Sequence, residues 1–378
     1  MIKLKEVYLD NSATTRVCKA AADEAYRIMT EIWGNPSSLH SKGLEAEHEI
    51  TNARRIIADS LSASAEEIYF TSGGTEGNNT AVLGAVNALK RRGNRIVTTA
   101  IEHSSVYETI QQLEKQSFEV IYLPPDENGC VKKEDIKKSI TKDTILVSIM
   151  AVNNELGSVQ PLSTVKRLIT AADSPALFHV DAVQAYMKMP LSPKKYGIDL
   201  MTVSGHKIHA PKGVGALYVR KGARIVPLHF GGMQERKLRP GTEAAPLICA
   251  MGKAVEVYDK NEAGRIKELN GFFRRVLSET DGIIINSDEN CLPYIISFSV
   301  PGFRSETLLH FLAERNIFVS SGSACAKGHK SHVLEAMKYD AKRADSTIRI
   351  SFSDQNNEDD ANILVNNLKI AISTLARS

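Results

Sequence analysis

Between about residues 65 and 220, short apolar runs alternate with stretches of helical spacing. Ile68-Tyr69-Phe70-Thr71 reads as a strand and leads into a helix predicted over 76–91. Arg95-Ile96-Val97-Thr98-Thr99 reads as the next strand, with a helix near 104–116 behind it. Further strands are predicted at 119–123, 144–152, 177–180, 200–203 and 215–219. Strands and helices in alternation imply a largely parallel sheet covered on both faces. After about 255 the pattern changes: a long polar helix over 256–278, a strand at 294–300, a helix near 305–315, a short strand at 318–319 and another at 347–352. Ala361, Leu364, Val365, Leu368, Ile372 and Leu375 hold helical spacing, and Glu358, Asp359 and Asp360 stand at the start, where the helix dipole favours acids.

The fold class is therefore α/β: a large domain with a mostly parallel central sheet covered by helices, plus a smaller C-terminal α/β domain. The expected division is 12–255 and 256–378, with segment 1–11 packing near the small domain. The chain of 378 residues is long enough for both cores. Ligands of such sheets bind beyond the carboxyl ends of the strands, and that is where the chemically suggestive residues fall.

Composition narrows the partners. With 43% hydrophobic and 24% charged residues the chain is ordinary for a globular protein. A net charge of +3 is too mild to argue for direct nucleic-acid or membrane binding, yet suits anionic small ligands. The longest apolar stretch, 145–152, is far too short to span a bilayer. Residues 1–10 alternate charged and apolar side chains without the apolar core of a signal peptide. The five cysteines (18, 130, 249, 291, 325) show no paired spacing, which argues against a disulfide framework or a structural zinc site. A cytoplasmic setting and no bound metal are the expectations.

Lys207, in Ser204-Gly205-His206-Lys207, follows directly on the apolar run 199–203. An amine held there, partly removed from water, has a lowered pKa and becomes nucleophilic toward an aldehyde; an ordinary exposed strand-end lysine is the plain alternative. Thr71-Ser72-Gly73-Gly74-Thr75-Glu76-Gly77-Asn78-Asn79 joins a strand to a helix. Backbone N–H groups at such a glycine-rich turn, Gly74 among them, approach an anion, and the Thr75 hydroxyl adds a donor. A phosphate fits there, although an ordinary capped βα turn has the same look. No Gly-Lys-Ser/Thr follows, so it is not a Walker loop.

Asp181 closes the run Phe178-His179-Val180. A carboxylate at that strand end can pair with a pyridine nitrogen and keep it protonated, or can simply cap a helix. Gln184, one helical turn on, is placed to bond a ring hydroxyl. His103 stands at another strand end, where an imidazole can stack on a ring and move protons, or be structural. An asparagine pair occupies 153–154. Arg349 lies in the alternating strand of the small domain and can grip a carboxylate with its fork, or be a structurally paired arginine. Cys325 sits in the small and polar stretch Ser320-Ser321-Gly322-Ser323-Ala324-Cys325-Ala326-Lys327-Gly328-His329-Lys330. Such a stretch predicts an exposed loop, and its basic residues favour a reactive thiolate.

Taken together, these motifs resemble the NifS-like cysteine desulfurases, pyridoxal phosphate enzymes of aminotransferase class V. The resemblance runs nearly the full length. It includes Tyr8-Leu9-Asp10-Asn11-Ser12-Ala13-Thr14-Thr15, Gly34-Asn35-Pro36-Ser37-Ser38, Glu102-His103, Val152-Asn153-Asn154-Glu155, Arg239-Pro240-Gly241-Thr242 and Gly322-Ser323-Ala324-Cys325. It implies that Lys207 holds pyridoxal phosphate covalently, and that Gly74, Thr75, Ser204 and His206 bind its phosphate. Thr242 would reach that phosphate from the neighbouring subunit of a homodimer. Asp181 and Gln184 would serve the ring, with His103 stacked on it. Asn154 would lie at the cofactor and, with Arg349, hold the carboxylate of L-cysteine. Cys325 would take the substrate sulfur as a persulfide, leaving alanine, and pass it to an acceptor protein for iron–sulfur cluster assembly or for tRNA or cofactor thiolation.

Two departures from the family pattern are tolerable: Met233 where a third glycine is frequent, and Ala210 where glycine is frequent. The chain ends at Ser378 without the longer extension some relatives use to dock a scaffold, which leaves the acceptor open. Competing readings are a selenocysteine lyase and another class V enzyme such as an aminotransferase, which would not need Cys325. A non-enzymatic binding protein on this fold would be expected to lack Lys207 or Asp181, and both are present.

Overall fold

The computed structural model describes residues 5–259, 261–321 and 331–376. Its strands in chain order are β1 (Val7–Tyr8), β2 (Ile68–Thr71), β3 (Arg95–Thr99), β4 (Glu119–Leu123), β5 (Thr144–Ser148), β6 (Leu177–Asp181), β7 (Leu200–Ser204), β8 (Gly215–Val219), β9 (Ile284–Ile285), β10 (Ile295–Ser299), β11 (Ile317–Phe318), β12 (Ser320–Ser321) and β13 (Thr347–Ser351). β2 to β8 form a seven-stranded sheet in the order β2-β8-β7-β6-β5-β3-β4. β8 runs antiparallel to both its neighbours, and the pairs from β7 across to β4 are parallel. The sheet is thus mostly parallel, as the sequence pattern implies.

Parallel strands covered by helices must be apolar on both faces, and β5, β6, β7 and β8 are buried along their whole length. The first four helices are α1 (Lys19–Thr30), α2 (Ser41–Ser60), α3 (Gly74–Leu89) and α4 (Ser104–Lys115), and the first turns of α3 and α4 supply residues to the site. Ala81, Val82, Ala85 and Val86 of α3 pack on Ile96, Leu146, Leu177, Leu200 and Leu217 of the sheet. The helix predicted over 76–91 begins two residues earlier, because the turn glycines belong to its first turn and the Gly77 N–H already bonds the Gly73 carbonyl at 3.1 Å. A side chain at Gly77 would put its Cβ 2.6 Å from Thr202 of β7, so glycine there lets the helix lie against the sheet.

A four-stranded antiparallel sheet, β12-β13-β10-β9, is built from the later part of the chain. β1 pairs in parallel with β11, and the Ser351 N–H bonds the Leu9 carbonyl at 2.7 Å, so the N-terminal segment lies against residues 317–351. The terminal helix Glu358–Thr374 starts at a capping box between Asn357 and Asp360. The long helix expected over 256–278 begins later, at Glu262, and runs to Ser278, and a separate helix, Ala245–Glu256, precedes it. Asp259 breaks the run, because its side chain accepts the Asn261 N–H at 2.8 Å and makes a local turn. The strand expected over 144–152 ends at Ser148, and beyond it the Met150 N–H turns to the Glu102 carboxylate at 2.8 Å. No described helix is long and apolar enough to cross a membrane.

Candidate active site

The carboxyl ends of β2, β3, β5, β6 and β7 open on a cavity of about 430 Å³. Its wall includes Gly74, Thr75, His103, Asn154, Asp181, Gln184, Ser204, His206, Lys207 and Arg349, ten of the residues singled out in the sequence. It also includes Ser12, Asn78 and Ser105, which sequence reasoning left without a role. Thr242 is exposed and is not part of this wall. Cys325 lies outside the described residues.

β7 ends at Ser204, and one short turn, Gly205–Lys207, swings Lys207 into the cavity. Its Nζ donates to the carbonyls of Ser12 and Ala13, the latter at 2.7 Å. Burial, with the cations Arg349 and Lys188 nearby, lowers the pKa of Lys207 to about 7. A substantial fraction of the amine is therefore uncharged near neutral pH, in keeping with its strand-end position. Burial likewise lowers the His206 imidazole to about 4, helped by Lys207, so this side chain is a neutral hydrogen-bonding group whose Nδ1 stands 3.3 Å from Thr14 Oγ1.

The turn after β2 takes Gly73 through φ 151° and ψ −172°, a backbone region essentially closed to other residues. α3 then starts at Gly74 with its free N–H groups facing the cavity end of the sheet, an anion-binding arrangement.

Asp181 terminates β6 and is 4% exposed. Its Oδ1 accepts the Val183 N–H at 2.9 Å and its Oδ2 accepts Asn78 Nδ2 at 2.7 Å. Asn78 Nδ2 also donates to Ser105 Oγ at 2.8 Å, and that oxygen lies 2.8 Å from His103 Nδ1. One asparagine thus ties together the carboxylate and the imidazole that the sequence offers as ring partners. Its signal is its place one turn into the helix behind the glycine turn, facing the sheet. His103 caps α4: the Ser105 N–H donates to Nδ1 at 3.1 Å, so the neutral ring carries its proton on Nε2. Burial lowers the pKa of His103 and keeps the ring neutral.

Gln184 sits in a turn rather than a helix, and its Nε2 donates to the Ser12 carbonyl at 2.9 Å. Its Oε1 remains as an acceptor without a partner among the described residues. Arg349, on β13, is 8% exposed. Its Nη1 donates to the Asn154 carbonyl at 2.9 Å and its Nη2 pairs with Asp10 at 2.8 Å, while Nε is buried without a partner among the described residues. The fork expected from sequence is thus partly engaged: a carboxylate arriving here meets Nε and competes with Asp10 for Nη2.

The cavity fits pyridoxal phosphate on the evidence of its unsatisfied groups. Ser12 Oγ, Asn78 Oδ1, Asn154 Oδ1, Gln184 Oε1, Ser204 Oγ and Arg349 Nε are buried without partners among the described residues, and all belong to wall residues. Buried polar atoms left open in this number mark a site made for a polar ligand. The free amine, the helix start, the carboxylate and the Gln184 acceptor answer an aldehyde, a phosphate, a ring nitrogen and a ring hydroxyl respectively.

Comparison with known proteins agrees with this reading of the cavity. Residues 7–364 match the family described as aminotransferase class-V. Cysteine desulfurase IscS of Dictyoglomus turgidum is 40% identical over 98% of this chain and 95% of its own length. A solved NifS-like protein superposes with a TM-score of 0.93 at 38% identity, covering 98% of this chain and all of its own. The solved structure of SspA in complex with cysteine has a TM-score of 0.82 at 35% identity, over 92% of this chain and 99% of its own. Similarity of this depth, on a chain whose strand-end lysine, carboxylate and glycine turn meet in one cavity, has one meaning: the protein belongs to the aminotransferase class-V family, among its NifS-like members.

Proposed function

We propose that the protein is a pyridoxal-phosphate-dependent cysteine desulfurase, converting L-cysteine to L-alanine while its own Cys325 becomes a persulfide. The observation that carries this reading is the meeting of Lys207, Asp181 and Arg349 in one cavity, in a chain whose sequence also holds Gly-Ser-Ala-Cys at 322–325. Relatives named cysteine desulfurase and a neighbour holding cysteine support it.

When bound, pyridoxal phosphate withdraws electrons from the substrate carbons next to the amino group. Lys207 would hold it, Asp181 would serve its ring nitrogen and Gln184 its hydroxyl, and Gly74, Thr75, Ser204 and His206 would hold its phosphate. Arg349 and Asn154 take the substrate carboxylate, which fixes the Cβ–sulfur bond toward the remaining space. Lys207 Nζ, as the free amine beside the bound substrate, would take the proton from Cα. The Cys325 thiolate then attacks the substrate sulfur. A sulfur–sulfur bond would form, the Cβ–sulfur bond would break with its electron pair left on carbon, and protonation of Cβ together with return of a proton to Cα would complete alanine. The neutral His103, with its proton on Nε2, stands in the wall as a proton carrier. The persulfide sulfur passes to an acceptor protein, a step that suits a reducing cytoplasm.

The test of this function is incubation with L-cysteine, with alanine and protein-bound persulfide measured together. Equal amounts in the first turnover are expected, and alanine without persulfide would exclude a desulfurase. Arg349→Ala should raise the cysteine concentration needed for half-maximal rate strongly, because loss of one partner of a buried charge pair costs roughly 2–5 kcal/mol. Arg349→Lys should restore part of it, since an ammonium keeps the charge and loses the fork. An unchanged KM in the alanine variant would place the carboxylate elsewhere.

The protein works as a homodimer. Trp33 is 69% exposed, Leu39 fully so, Phe230 87% and Met233 70%, far more apolar surface than a monomer usually shows. They lie on two loops joined by the Gln234–Ser37 hydrogen bond, and the second loop runs on to the exposed Thr242, which is placed to reach a partner's phosphate site. Light scattering should give twice the mass of one chain, and Phe230→Asp should halve it. A monomeric wild type with full activity would remove this part of the reading.

A further inference from the structure

β2 is the edge strand of the main sheet, and its outer side offers unpaired backbone groups just before the glycine turn. Edges of this kind must be covered. Here side chains, not another strand, cover it. Glu235 Oε2 accepts the Phe70 N–H at 2.9 Å. The Ile68 carbonyl accepts from Arg54 Nη1 at 2.9 Å and from Arg236 Nη2 at 2.7 Å. Glu235 and Arg54 form a two-point ion pair, with both contacts at 2.7 Å and the Glu235 side chain 2% exposed.

The backbone that presents these groups is strained. Glu235 (φ 44°, ψ 42°), Arg236 (φ 53°, ψ 38°) and Lys237 (φ 69°) are consecutive left-handed residues, and none is glycine. Each such residue costs energy that its surroundings must offset. The fixed points that offset it are the Arg54–Glu235 pair and the bonds to β2. Two residues on, Arg239 Nε bonds Glu76 Oε1 at 2.9 Å, and Glu76 Oε2 accepts the Ser72 N–H at 2.8 Å. Segment 235–239 therefore grips the strand before the turn and the helix after it.

We propose that Arg54 and Glu235 are positioning residues for phosphate binding: through the strained segment and Arg239 they fix the Ser72–Thr75 turn in its anion-holding shape. Neither side chain lines the cavity, so both act through the turn. The proposal rests on the reading of that turn as the phosphate cradle. Its distinguishing consequence is that loss of the anchor harms recognition of the phosphate and spares recognition of the ring.

Full-length wild type, Glu235→Gln and Arg239→Gln, each stripped of cofactor, are to be titrated with pyridoxal phosphate and with phosphate-free pyridoxal, following visible absorbance and thermal midpoint. Both variants should bind pyridoxal phosphate on the order of tenfold more weakly, the size of one charge-assisted hydrogen bond. Pyridoxal binding should stay at the wild-type level. Unchanged pyridoxal phosphate affinity in a folded Glu235→Gln protein, or equal loss for the two ligands, overturns the proposal. If Glu235→Gln fails to fold, the partly exposed Arg239→Gln decides by the same criteria. A wild type that binds neither ligand defeats the underlying cavity reading as well, an outcome distinct from failure of the anchor alone.

Discussion

Cys325→Ser should take up pyridoxal phosphate and L-cysteine normally and yet form no persulfide, with alanine production reduced by roughly two orders of magnitude or more. The cavity wall among the described residues is complete without the thiol, so binding has no reason to change. The step that fails is sulfur transfer, because a serine hydroxyl is not ionised near neutral pH and an alkoxide is a poor partner for sulfur. In sequence the thiol is followed by Lys327, His329 and Lys330, basic residues of the kind that lower a cysteine pKa from its free value of about 8.5. Three of the other cysteines are shifted the opposite way. Burial raises Cys130 to about 11 and Cys249 and Cys291 to about 12, which leaves them as thiols at working pH. The flanks of segment 322–330 stand at the cavity. Ser320 pairs with Arg349 across β12 and β13, and His332 Nε2 donates to the Glu102 carbonyl at 2.8 Å. Mass spectrometry after brief exposure to L-cysteine should find one added sulfur on Cys325. Sulfur on Cys18, Cys130, Cys249 or Cys291, or full alanine output from the serine variant, would show that the nucleophile is misassigned.

What the sequence made legible follows from how local each signal is. Strands β2, β3, β4 and β8 have their expected bounds, because an apolar run closed by glycine or charged residues is a local property. Lys207, Asp181 and His103 stood out because they terminate such runs, and a parallel sheet gathers strand ends on one side. Features made by distant partners were not legible. The Asp10–Arg349 pair joins residues at opposite ends of the chain, so nothing near Arg349 announced that its fork is shared. The Asn78 link between Asp181 and Ser105 depends on how α3 lies on the sheet. The left-handed run at 235–237 carries no glycine, and turn chemistry therefore gave no warning of it. The start of the helix at Glu262 rather than at 256 escapes for the opposite reason: the Asp259 turn is local, but the helical spacing around it hides it.

Lys207→Ala should abolish stable uptake of pyridoxal phosphate and with it all alanine formation, a loss of several orders of magnitude. Among the described residues no other lysine lines the cavity, so none of them offers a second amine there. The wild-type protein offers a finer check through pH. Covalent capture needs the uncharged amine, and burial together with Arg349 and Lys188 has lowered the Lys207 pKa to about 7. Below that pH the ammonium is unreactive, and above it the free amine predominates. The rate at which cofactor-free protein captures pyridoxal phosphate should therefore rise with pH through a midpoint near the lowered value of about 7. An exposed lysine would instead show its rise near 10.4. Stopped-flow absorbance across this range separates the two cases. A midpoint at the ordinary lysine value would mean that the amine is solvated in the working enzyme, and that the desolvated strand-end site inferred for it is wrong. Pyridoxal phosphate held as firmly by the alanine variant would show that the noncovalent contacts, from the glycine turn through Asp181, are sufficient by themselves.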